Sequence, residues 1–194
     1  MILPFMTMKT PLRAAMMLGA LALAGCASAP MPQETTLDPD RMSFAMSEVE
    51  DLQSRGARVW CVPFARNLSG VEIHGNARTW WKQAQADFPV SHAPELGAVM
   101  AFAPTSAMPL GHVGVVSAVE GDRKIRIDHA NWHRNEVSLN MSVIDVSKNN
   151  DWSRVRVETY PGAYGSVYPI NGFILPDSPT QALATRLKER LSED

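Results

Sequence analysis

Hydrophobic and polar positions divide the chain into stretches of different period. From Cys61 to Leu68 the apolar residues recur at helical spacing, and the run ends at Ser69-Gly70, a helix-stop signal. Asn76 to Ala86 reads as a second helix with Asn76 as N-cap. Ser43 to Ser54 supports a shorter one. The period then changes. Gly97–Ala103, Gly111–Val119, Lys124–Ala130, Ser153–Thr159 and Gly172–Leu175 are short runs rich in Val, Ile and Phe. Turn residues such as Pro104, Pro109, Gly121-Asp122 and Asn149-Asn150 separate them. Residues 179–192 suit a last amphipathic helix, with Leu183, Leu187 and Leu191 on one stripe. Helices followed by an antiparallel sheet define an α+β fold.

Two segments do not read as fold. Lys9 and Arg13 precede an apolar stretch, 14–25, that is shorter than the ~20 residues a bilayer span requires. This is the pattern of an export signal, which need not begin before Met6 or Met8. Leu23-Ala24-Gly25-Cys26 resembles the bacterial lipobox, which implies a signal peptide over 1–25 and lipidation of Cys26. Ala27, a residue other than Asp after that cysteine, implies delivery to the outer membrane with the protein facing the periplasm. Residues 27–42 are rich in Pro, Thr and acids, and read as a tether. The anchoring region is thus 26–53, the folded domain 54–176, and 177–194 a C-terminal helix or tail.

Composition narrows the class. Of 194 residues 45% are hydrophobic and 20% charged, ordinary values for a globular protein. Eighteen basic residues against 20 acidic ones give a net charge of -2 with no single-sign run, which offers nucleic acid no cationic surface. The chain has two cysteines, Cys26 and Cys61. With Cys26 lipidated, Cys61 is a lone thiol in an exported protein, either an inert buried residue or a nucleophile.

Pro63 is tolerated only in the first turn of a helix, so Cys61 lies at a helix N-terminus. Unpaired N–H groups and the helix dipole there predict a lowered thiol pKa. Five histidines, His74, His92, His112, His129 and His133, are available as partners. His112 opens a strand in which Gly111 and Gly114 permit close backbone approach. In the following strand, alternation places Ile125, Ile127, His129 and Asn131 on one face and Arg126, Asp128 and Ala130 on the other. The isoleucines mark the core side. Asp128 is therefore expected to face outward, and His129 or Asn131 to orient the His112 imidazole. A metal pair of His129 and His133 would need a helix, which the β-branched run opposes; no metal or cofactor is expected.

Cys61 at a helix start, Gly111-His112-Val113, and His129-Ala130-Asn131-Trp132 together resemble the CHAP family, cysteine- and histidine-dependent amidohydrolases/peptidases with a papain-like fold. Gly75-Asn76-Ala77 with Trp80, and Pro94-Glu95-Leu96-Gly97-Ala98-Val99 leading to Phe102, agree with it, over roughly residues 54–176. Many family members carry Glu at the position of His129. A histidine there is similar to the NlpC-type cell-wall peptidases. The resemblance implies a peptidoglycan hydrolase with Cys61, His112, His129 and Asn131 as site residues. Its substrate would be a muropeptide, cut as an amidase or an endopeptidase would cut it. The other readings of the same residues are a non-catalytic wall-binding or partner-binding module and a structural lipoprotein with an inert Cys61.

Overall fold

The computed structural model describes residues 36–177. The signal region, Cys26, most of the tether and the helix expected over 179–192 lie outside them. Three helices come first: α1 (Pro39–Ser54), α2 (Cys61–Ser69) and α3 (Ala77–Asp87). Seven strands follow: β1 (Val90–Ser91), β2 (Val99–Phe102), β3 (His112–Gly121), β4 (Lys124–Ala130), β5 (Val137–Asp145), β6 (Arg154–Tyr160) and β7 (Ala163–Ile174). All pairings are antiparallel, in the order β1-β7-β2-β3-β4-β5-β6. Because β6 also pairs with β7, six strands close into a barrel-like sheet with β1 as an added edge. The fold is α+β, as expected.

Strand β2 and the first half of β3, through Val116, are buried on both faces, which is why they read as continuous apolar runs. Val99, Ala101, Val113, Val115 and Ala130 pack with Phe64, Leu68 and Trp80 of the helices. Met100, Phe102, Val116, Ile125 and Ile127 join Val143, Trp152, Val157 and Phe173 within the curled sheet. The β2–β3–β4 wall therefore separates two cores, and one end of that wall carries the site.

Four elements differ from the pattern in the sequence, the first being the two-residue edge strand β1, too short to carry a periodic signal. Helix α1 begins at Pro39, inside the segment read as tether. Asp38 caps it by accepting from the Asp40 and Arg41 amides at 2.9 and 3.3 Å, and Pro39 fits the first helical position. Ala45 and Val49 then bury against the helical core, so 39–53 packs with the domain. Strand β5 has no counterpart in the predicted elements. Its Ser138, Asn140 and Ser142 dilute the apolar signal, and a register shift opposite Ile127–His129 interrupts the alternation. The run Gly172–Leu175 is only the end of the longer β7, whose first half is too polar to stand out.

Candidate active site

Helix α2 fixes Cys61. Phe64, Ala65 and Leu68 bury one face, and Gly70 closes the C-terminus in the left-handed conformation (φ 77°), its N–H donating to the Arg66 carbonyl at 2.8 Å. At the other end, Trp60 is extended and its side chain caps nothing, so the first-turn amides stay available. The backbone N–H groups of Val113, Cys61 and Val62 favour the thiolate. Burial acts the other way and outweighs them, leaving the thiol pKa raised above its ordinary value. The lowered pKa expected from the helix terminus is therefore corrected: the site is too desolvated for the amides to ionise the thiol. Alkylation of Cys61 by iodoacetamide should accelerate only above the range where a free thiol ionises, about pH 8.5. A rate already on its plateau at neutral pH would contradict this.

His112, the first residue of β3, lines the same cleft as Cys61. Its ring packs edge-on to Phe102 (5.5 Å between centroids) and Trp132 (5.1 Å). Burial pushes its pKa down to about 3, so the imidazole is neutral at any ordinary pH. His112 Nε2 lies 2.9 Å from Nδ1 of His129, which is fully buried on β4, its pKa also held well down by burial. Of the two candidates, it is His129 and not Asn131 whose ring contacts His112. Gly114 makes the approach possible: a Cβ there would lie 3.0 Å from Ile127 Cδ1 and 3.3 Å from His129 Cβ.

The next contact assigns the protons. His129 Nε2 lies 3.1 Å from the Met141 sulfur. A thioether has no hydrogen to donate, so Nε2 carries the proton and Nδ1 the lone pair. His112 Nε2–H must then donate to His129 Nδ1, and the lone pair of His112 falls on Nδ1, the nitrogen His129 does not use. Met141, which no sequence signal marked, sets the tautomer of both rings from the irregular strand β5. Nitrogen-15 NMR of the imidazoles should find both Nε2 atoms protonated. Met141→Leu should mix the tautomers and lower kcat with KM unchanged; protonated Nδ1 atoms in the wild type would refute the assignment.

Asn131 does not join the histidines. β4 ends at Ala130, and Asn131 turns into the left-handed region (φ 61°), which breaks the alternation that aligned it with His129. Its Oδ1 accepts from the Asn135 amide (3.0 Å) and Arg58 Nε (3.4 Å), so it braces the loop after β4. Asp128 is corrected as well: it is buried, not outward-facing. Its Oδ1 accepts from the Asn140 amide at the extra residue of β5, whose N–H the shifted ladder leaves unpaired. His74, His92 and His133 are exposed, His74 against Arg66 and His92 against Trp81.

Cys61, His112 and Asn131 line one cleft of about 600 Å³, with Trp60, Met108 and Leu110 among its walls, and His129 stands behind His112. The arrangement places a thiol at a helix N-terminus with no side-chain cap and a neutral imidazole in one cleft, a combination that acyl transfer can use.

Residues 53–131 match the family model of the CHAP domain, a segment that contains Cys61, His112, His129 and Asn131 but ends before Met141. CHAP domains are generally hydrolases, of peptidoglycan amidase or peptidase type. No curated protein matches the chain.

Proposed function

We propose that this protein is a thiol-dependent peptidoglycan hydrolase. The observation that carries the reading is the buried His112–His129 pair at 2.9 Å, with His129 in turn on Met141, because it leaves His112 Nδ1 as a base in the cleft that holds Cys61. The thiol and the imidazole rest neutral. As sulfur attacks the amide carbonyl, its proton passes to His112 Nδ1, and the His129 lone pair stabilises the imidazolium through its Nε2–H. The carbonyl oxygen, now negative, takes hydrogen bonds from amides at the start of α2. His112 gives its proton to the leaving amine, the C–N bond breaks, and a thioester remains on Cys61. Water, deprotonated by His112, then releases the acid and restores the thiol. A helix-borne thiol beside a strand-borne imidazole is the arrangement that a papain-like fold implies.

The cut amide joins either the lactyl group to the stem or two residues of the peptide. Lipid on Cys26 would hold the domain at the outer membrane, facing the periplasmic wall. Anchorage and catalysis should then separate: replacing residues 1–26 with a cleavable export signal should release active protein. Mass spectrometry of wall fragments after incubation with that released form tests the proposal and identifies the bond. New fragments with a freed amine are expected; an unchanged fragment pattern would overturn it.

A further inference from the structure

Arg58 is the one ionised side chain among the residues that line the cleft, and it is held in place from three directions. Its guanidinium carbon lies 4.0 Å from the centre of the Trp60 ring, a stacked cation–π contact next to Cys61 in the chain. Its Nε donates to Asn131 Oδ1 at 3.4 Å. The backbone that carries it is tied to the same loop, since the Val59 amide donates to Asn135 Oδ1 at 2.8 Å and the Asn135 amide donates to Asn131 Oδ1. That loop directly follows the strand bearing His129. Among the described residues no carboxylate pairs with Arg58, and its two terminal nitrogens have no acceptor.

A planar guanidinium with one face on an indole and its Nε occupied has its two terminal NH₂ groups left to give. That fork matches a carboxylate in bidentate geometry, which a lysine ammonium would not reproduce. We propose that Arg58 is a carboxylate-recognition residue: the cleft takes peptides carrying a free carboxylate close to the amide presented to Cys61, and discriminates against the same peptides with that group amidated. The inference deepens the hydrolase reading and rests on it for the identity of the cleft, but it is measured by binding alone.

Full-length protein carrying Cys61→Ala, in detergent, prevents turnover. It is titrated calorimetrically with wall peptides and with the same peptides whose carboxylates have been converted to carboxamides. The acids should bind at least about tenfold more tightly than the amides, a charge-assisted hydrogen-bond effect. Adding Arg58→Gln should erase that preference by weakening the acids alone, and Arg58→Lys should restore only part of it. Equal binding of acids and amides, no binding of either, or a preference that survives Arg58→Gln would each overturn the proposal. Cleavage by protein with Cys61 intact reports separately on the hydrolase reading. Cleavage without a carboxylate preference sinks the Arg58 assignment alone; preference without cleavage sinks the hydrolase alone.

Discussion

His112→Ala is expected to lower kcat/KM for wall hydrolysis by roughly 10²–10⁴-fold, the range general-base catalysis supplies. In the proposed mechanism the thiol, held protonated by burial, needs a base to take its proton during attack, and His112 in the same cleft is the residue assigned that part. The same substitution has a second, separable signature. A histidine whose folded pKa is about 3, against about 6.5 unfolded, binds more protons in the unfolded state between those values. Stability therefore falls as pH drops through that window, by about 2 kcal/mol at pH 5 from His112 alone. His129 acts in the same direction. Denaturant melts at pH 7 and pH 5 should show this loss in the wild type and a smaller one in His112→Ala. An equal pH dependence in the two proteins would show that His112 is not held neutral.

Gly111→Ala should be the most destabilising single methyl in the molecule's site. Gly111 has φ 70°, and a Cβ there would lie 2.8 Å from the Arg78 nitrogen, 3.0 Å from its Cα and 3.2 Å from the Phe102 carbonyl oxygen. These are backbone atoms of α3 and β2, which cannot rotate away. Left-handed strain contributes about 1–2 kcal/mol, and displacing the 2.7 Å Arg78 N–H to Leu110 carbonyl bond adds to it. A total of about 2–4 kcal/mol, or roughly 5–15 °C in Tm, is expected. Gly162→Ala is the control, since it has the same positive φ (77°) but nothing within 4 Å, and should lose only the strain. Comparable melting temperatures for the two variants would contradict the close approach at Gly111. Activity should fall with Gly111→Ala beyond the loss of folded protein, because His112 is the next residue.

The parts of the site that depend on one element at a time were legible in the sequence. Pro63 placed Cys61 at a helix start, the apolar run after Gly111 put His112 at the opening of one strand, and the Ile125–Ile127 alternation put His129 on the core face of the next. What depended on several elements was not. The thiol pKa turns on how far β3 and α2 bury the sulfur, which a helix-terminus argument does not contain. Asn131 and Asp128 were misplaced because strict alternation assumes a regular ladder. Asn131 leaves the strand at a positive φ, and Asp128 answers an extra residue on β5, an element too polar at Ser138, Asn140 and Ser142 to be read as a strand. Met141 was invisible for the same reason. The start of α1 was readable from Leu37-Asp38-Pro39-Asp40, an N-cap followed by proline, but acidic and proline-rich composition suggested a tether.

The central claim is that Cys61 is the nucleophile of an acyl-transfer hydrolase. It is tested most directly by incubating purified wall with equal amounts of wild-type and Cys61→Ala protein and counting the amine termini released. Release by the wild type and none by a folded Cys61→Ala protein is expected; release by Cys61→Ala at the wild-type rate would contradict the assignment.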